Sequence, residues 1–172
     1  MSEQSTGRYS VIRRSVAKGV RSESYLLRAY TVIGTVASLF IALLLVLAIP
    51  QWVKWTLGQG ELNTFSRAML PWLGMLMVGP LLAPPFYAAR RAGQGASSRR
   101  TDFLLALSGF AFLASLYVTL LVSAPAEFRD PAPDAPLLGP FVEFCYALDP
   151  VYAFVPPVLG VVLIVAVERL AR

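Results

Sequence analysis

Histidine is absent from the 172 residues, cysteine occurs once, at Cys145, and lysine twice, at Lys18 and Lys54. Each shortage removes a class of chemistry. Without imidazole no unperturbed side chain titrates near neutral pH, and zinc, haem and histidine-based acid–base catalysis have almost nothing to work with. A lone thiol cannot close an intramolecular disulfide, so cysteine usage is silent about redox compartment. Charge is scarce too. Charged residues make up 15% of the chain and hydrophobic residues 56%, with a mean hydropathy of +0.62, whereas soluble domains carry about 25% charge. A single soluble domain of this length has too little interior to hide that much apolar surface.

Four stretches contain no charged residue at all: 29–49, 68–89, 103–124 and 151–167. A helix crossing roughly 30 Å of hydrocarbon needs about 20 mostly apolar residues. The first stretch is the clearest span, with Pro50, Trp52 and Trp55 marking an expected exit into the interface. The second contains Pro71, Pro80, Pro84 and Pro85, so its helix is expected to bend or break. The third opens after Thr101 and Asp102, read as a cap with a favourable negative charge, and the fourth after Asp149 and Pro150, read as N-cap and first helical position. None of the four shows a polar face at helical spacing, which argues against the core helices of a soluble protein. The first run is longer than the apolar core of a secretory signal and follows 28 other residues, which argues against a cleaved leader.

The expected fold class is therefore an all-α integral membrane protein with four transmembrane helices in two hairpins. Helices two and four are kinked by proline, and short interfacial helices precede the first and fourth spans. Residues 1–28 form a basic arm and 29–172 the transmembrane domain. Both hairpins return through a Pro-Pro step, Pro84-Pro85 and Pro156-Pro157. Tandem duplication would give this pattern, but the two steps sit at different depths, which favours coincidence in a proline-rich chain.

The net charge is +5 and the isoelectric point near 9.7, and the placement of the cations matters more than their sum. Arg8, Arg13, Arg14, Lys18, Arg21 and Arg28 precede the first span; Arg90, Arg91, Arg99 and Arg100 lie between the second and third; Arg169 and Arg172 follow the fourth. The opposite side holds Lys54, Arg67 and Arg129. Short cytoplasmic loops accumulate Lys and Arg, so a cell-membrane location with both termini cytoplasmic is expected. The connection 125–149 is acidic, with Glu127, Asp130, Asp134, Glu143 and Asp149 against Arg129. Within it Pro131–Pro136 reads as a stiff spacer, and the apolar 137–148, with Phe141, Phe144 and Tyr146, as a segment lying on the membrane or docked on the bundle. Cys145 in that setting reads as an inert small hydrophobe.

Three groups of residues could carry function. In the arm, Ile12, Val16 and Val20 share one helical face with Arg14, Lys18 and Arg21 roughly opposite, the pattern of a helix lying on anionic lipid. A disordered basic arm reads equally well, because Gly19 and four serines weaken the helix. In either case Arg13, Arg14, Lys18 and Arg21 are expected to meet lipid headgroups. Nucleic acid is disfavoured as a partner, since no aromatic-interleaved basic platform follows. Small or hydroxylated residues form stripes on helix one (Thr31, Gly34, Ser38, Ala42) and helix three (Ser108, Ala111, Ser115, Thr119). Such stripes serve either packing within the bundle or a face for a partner subunit or second copy. Finally, Gly79, Pro80, Pro84 and Pro85, with Pro156 and Pro157, mark a kink or a transport site of the discontinuous-helix kind.

No catalytic, cofactor-binding or metal-binding residue is assigned. Intramembrane serine proteolysis and lipid-phosphate hydrolysis rely on histidine, and the four apolar runs carry no carboxylate for proton coupling. The expectation is a non-catalytic accessory, scaffolding or assembly subunit that binds other membrane proteins or itself within the lipid bilayer. Two rivals stand beside it: the protomer of an oligomeric transporter or channel built on the second helix, and a metal-dependent enzyme using Glu61, Glu143 and Asp149.

Overall fold

The structure, a computed structural model, describes residues 4–56, 60–96, 98–129 and 135–170, with side chains at 4–10, 51–53, 55, 56, 60–73, 75 and 128 left aside. The proline spacer at 131–136 thus falls largely outside the described residues. Six α-helices follow one another: α1 (Gln4–Val20), α2 (Tyr25–Thr56), α3 (Gly60–Gly93), α4 (Arg99–Ser123), α5 (Leu138–Ala147) and α6 (Val155–Leu170). Short 3-10 turns at Ala126–Phe128 and Pro150–Phe154 flank α5. No strand occurs among the described residues. Three segments, Tyr25–Pro50, Arg99–Ser123 and Pro150–Leu170, are long and apolar enough to cross a membrane.

Element ends follow local chemistry, and several differ from the sequence reading. The first long helix does not stop at Pro50 but carries it inside, running on to Thr56. Pro50 is exposed where it sits within α2, and its ring leaves the helix one hydrogen bond short without ending it. Helix α4 starts at Arg99, with Ser98 at the N-cap position, so Thr101 and Asp102 are in its first turn rather than capping it. Asp149 does act as an N-cap, its carboxylate accepting from Val151 N at 2.9 Å with Pro150 at the first position. It opens the 3-10 turn, whose rise of about 2.0 Å per residue lengthens the shortest apolar segment toward bilayer thickness. The α3–α4 turn closes with Gly95 at φ 72° and Ala96 N donating to Arg91 O at 3.1 Å, a left-handed C-terminal stop that glycine supplies without strain.

Helices α2, α3, α4 and α6 alternate in direction and pack side by side, with α4 against α2, α3 and α6. The core has three levels. At the end bearing most of the arginines, Leu27, Tyr30, Ala88, Leu105 and Ala106 are buried together, with Val167 of α6 packed on them. Leu81, Phe112 and Ile164 form the middle, and Val122, Cys145 and Ala153 the opposite end, where α5 docks. Apolar side chains outside these clusters point outward along α2 and α6, among them Val36, Leu39, Leu47, Leu159 and Val162. An aqueous surface would not tolerate such continuous apolar walls, whereas lipid does.

Helix α3 runs unbroken from Gly60 to Gly93 through all four of its prolines. Each proline deprives the carbonyl four residues earlier of its amide. For Pro85 that carbonyl is Leu81 O, and the wholly buried Tyr30 hydroxyl of α2 donates to it at 2.9 Å. For Pro157 it is Ala153 O, and Thr119 Oγ1 of α4 stands 2.9 Å away, sharing its hydroxyl with Ser115 O at 3.0 Å. In both hairpins the preceding long helix thus supplies a donor for the carbonyl freed by the second proline of the Pro-Pro step. Close backbone approach makes this reach feasible: a Cβ at Gly34 would stand 3.3 Å from Leu81 O, and one at Gly160 would stand 2.9 Å from the Phe112 ring, while a side chain at Gly109 of α4 would collide with the Tyr30 ring. Phe110 fixes the same tyrosine edge-on, with ring centroids 5.1 Å apart.

The helices are unequal in reach. From the level where the Tyr30 ring tip meets Gly34 and Gly109, α2 continues about 33 Å to Thr56, whereas α4 continues about 21 Å to Ser123, at 1.5 Å per residue. The α2–α3 pair therefore projects beyond its neighbours at the end opposite the arginine-rich one.

Thr119→Val, which keeps the shape and removes the donor, is expected to destabilise the fold by about 1 kcal/mol, while Thr119→Ser is near neutral. Gly109→Val is expected to cost about 1–3 kcal/mol or more through overpacking against Tyr30. Reversible unfolding of the three variants in mixed micelles measures all of these.

Candidate functional site

A concavity lies at the arginine-rich end, where α1 folds back against α2 and α3. Helix α1 docks through Ser15 and Gly19, both buried, with Val16 half-buried beside them, while Ile12 and Val20 remain 54% and 38% exposed. Gly19 is needed there, since a Cβ would come within 2.5 Å of Thr31 Oγ1 and 3.2 Å of Pro85. Ser15 Oγ turns back to Val11 O at 2.9 Å, so it enters the contact with its donor satisfied.

The turn between α1 and α2 is tied down by a short polar chain. Ser22 Oγ accepts from Ser24 N at 3.1 Å and donates to Asp102 Oδ2 at 3.2 Å, while Arg28 Nη2 donates to Ser22 O at 2.9 Å. Asp102 is only 8% exposed and lies within electrostatic reach of Arg91 and Glu23. This carboxylate joins the turn to the first turn of α4, where a negative charge also suits the helix dipole.

Around these anchors opens a cleft of about 980 Å³, whose lining includes Arg14, Lys18, Arg21, Arg90 and Arg99 with Glu23 and Asp102, and the apolar Val11, Leu27, Phe86, Ala88 and Ala89. Lys18 Nζ reaches Ala89 O at 3.4 Å. The lining thus combines an excess of cations with apolar surface. No group of three or more potential metal ligands occurs among the described residues; Glu61, one of the three carboxylates considered from sequence, is among the side chains left aside.

The family model for a domain of unknown function, DUF8056, matches residues 1–172. The chain belongs to the DUF8056 family. No curated protein and no solved structure matches it. For this DUF8056 member the placement of the sequence-derived residues is therefore read from geometry alone. Arg14, Lys18 and Arg21 line the cleft, and Arg13 is exposed outside it. Thr31, Gly34, Ser38 and Ser108 are buried in the bundle, with Ala42, Ala111, Ser115 and Thr119 half-buried. Most of their hydroxyls bond back to their own helix: Thr31 to Leu27 O at 2.7 Å, Ser38 to Gly34 O at 2.7 Å, Ser108 to Leu105 O at 2.8 Å and Ser115 to Phe112 O at 2.6 Å. Thr119 alone among them also reaches another helix element within hydrogen-bond distance.

Gly79 is exposed with open space around it, Pro80, Pro156 and Pro157 are half-buried, and Pro84 and Pro85 are buried. The discontinuity considered at Gly79–Pro85 is a continuous helix in this DUF8056 chain. Two residues central to the geometry, Tyr30 and Asp102, had no place among the candidates drawn from sequence. Tyr30 sits one position before Thr31 at the head of the stripe, and Asp102 borders an uncharged run; either position was a usable signal.

At the opposite end α5 both docks and faces outward. Cys145 is buried against Val122, whereas Phe141 and Phe144 are exposed, and Arg129 lies 5.3 Å from the centre of the half-buried Tyr146 ring. Burial pushes the Cys145 thiol up from its ordinary value. It should therefore stay protonated at about pH 8, where exposed thiols begin to ionise. Maleimide labelling at that pH, followed by intact mass, is expected to be far slower for the folded protein than for the denatured chain. Equal rates would mean that α5 is not docked.

Proposed function

We propose that this chain is a non-catalytic polytopic protein of the cell membrane, an accessory or assembly subunit that binds another membrane protein or its own copies. In this reading α2, α3, α4 and α6, the last with its 3-10 lead-in, are four membrane spans, and both termini are cytoplasmic because the arginines gather at their end. The carrying observation is the unequal reach of the helices: the α2–α3 pair outlasts α4 by about 12 Å of helix at the external end. Such an extension offers surface for contact with a neighbouring subunit. The small and hydroxylated residues support a partner face less well than they did from sequence, since they turn into the bundle. The outer wall of α2, with Val32, Val36, Leu39 and Leu43 exposed in one stripe, takes that role.

The transporter reading draws less support. Discontinuous helices serve transport by offering bare carbonyls near the midplane, and here Leu81 O and Ala153 O face hydroxyl donors.

Reporters fused to the two termini are expected to report the same, cytoplasmic compartment. Single cysteines at Val36 and Leu39, introduced into a Cys145→Ala chain, are expected to cross-link to a neighbouring polypeptide in native membranes, while a cysteine at Leu159 on α6 does not. Failure of the α2 positions to cross-link, together with a monodisperse monomer after mild extraction, would reject the subunit reading.

A further inference from the structure

We infer that the cleft between α1, the end of α3 and the start of α4 binds the phosphate of an anionic phospholipid headgroup through Arg14, Arg21, Arg90 and Arg99. The inference deepens the membrane reading above and rests on it. Its first support is convergence. The cations reach one concavity from four separate segments, α1, the following turn, the last turn of α3 and the first turn of α4. Diffuse attraction to a membrane surface needs no such convergence; a bound anion does. The preponderance of arginine suits phosphate, whose oxygens match the two-pronged guanidinium.

The second support is that these charges are not spent within the protein. Among the described residues none of Arg14, Lys18, Arg21, Arg90 and Arg99 pairs with a carboxylate, and Lys18 meets only the Ala89 carbonyl. Of the two acids in the lining, Asp102 is buried and engaged by Ser22. The lining thus carries five cations against two carboxylates.

The third support decides between a lipid and a soluble phosphate compound. The lining also includes the apolar Leu27, Phe86, Ala88 and Ala89, and the cleft volume of about 980 Å³ exceeds what a phosphate alone would fill. The helix that supplies Arg14 and Lys18 also leaves Val11, Ile12 and Val20 exposed, at 46%, 54% and 38%. Those residues gain burial only if α1 lies at the level where headgroups meet acyl chains. A ligand with a phosphate at one end and hydrocarbon at the other suits a lining of this mixed chemistry.

The test uses the full chain, purified and delipidated in an uncharged detergent, titrated calorimetrically with dioctanoyl phosphatidylglycerol, dioctanoyl phosphatidylcholine and pyrophosphate. Phosphatidylglycerol is expected to bind about tenfold or more tightly than either of the others. The triple variant Arg14→Gln, Arg21→Gln, Arg99→Gln is expected to lose at least about tenfold in that affinity. A control triple outside the cleft, Arg13→Gln, Arg100→Gln, Arg169→Gln, removes the same charge and should stay within about twofold of the native chain. Arg99→Gln alone, checked for an unchanged melting temperature, gives the same direction should the triple fold poorly. Equal losses in the cleft and control variants would reduce the effect to the general charge of that face and overturn the site. Pyrophosphate binding as tightly as phosphatidylglycerol would overturn the lipid assignment in favour of a soluble anion. Solubility of the chain after detergent removal would instead overturn the membrane reading, an outcome distinct from either.

Discussion

A backbone carbonyl surrounded by hydrocarbon must find a donor, and proline removes the one that helix geometry provides. Most of this structure can be understood from how that demand is met. Within the bundle the second proline of each Pro-Pro step frees a carbonyl, Leu81 O or Ala153 O, and in each case a hydroxyl from the preceding long helix stands at 2.9 Å. A hydroxyl can substitute only if the two backbones come close and the donor is held in place. Gly34 of α2, where a Cβ would stand 3.3 Å from Leu81 O, and Gly160 of α6 allow the first, and the packing of Phe110 on Tyr30 enforces the second. Removing such a donor strands a polar group where no water can replace it, which is why single hydroxyls matter more here than their size suggests.

The same demand explains how the small and hydroxylated stripes are used. Bonded back to their own helices, Thr31, Ser38, Ser108 and Ser115 present satisfied, compact surfaces, and helices can then approach without burying a bare polar atom. What is left for the outside is apolar along the membrane-facing walls and basic at one end. The features left to interact with anything outside the bundle are the cationic cleft, the wall of α2 and the projecting α2–α3 pair.

Much of this was legible in the sequence, though unevenly. Uncharged runs gave the long helices because charge in hydrocarbon is costly wherever it occurs, so the signal does not depend on tertiary context. Boundaries were less legible. Pro50 was read as an exit, yet α2 continues through it to Thr56, since a proline costs a helix one hydrogen bond without necessarily ending it. Helix α4 began earlier than expected because Arg99 and Arg100 can extend into water while the backbone is already helical. The face by which α1 meets α2 and α3 was not read from sequence, because Ser15 and Gly19, the residues buried there, carry no apolar signal. For the cleft, Arg14, Lys18 and Arg21 were named from their spacing, while Arg90, Arg99 and Asp102 joined them through a fold-back that no local pattern encodes.

The membership of the chain in the DUF8056 family spans residues 1–172, so arm and bundle belong to one family unit. A double-mutant cycle between Tyr30→Phe and Pro85→Ala, with unfolding free energies measured in lipid bicelles, tests the central constraint most directly. Alanine at position 85 restores the amide that Leu81 O lacks. The account predicts that Tyr30→Phe costs about 1 kcal/mol in the native background and clearly less beside Pro85→Ala. An equal cost in both backgrounds would contradict it.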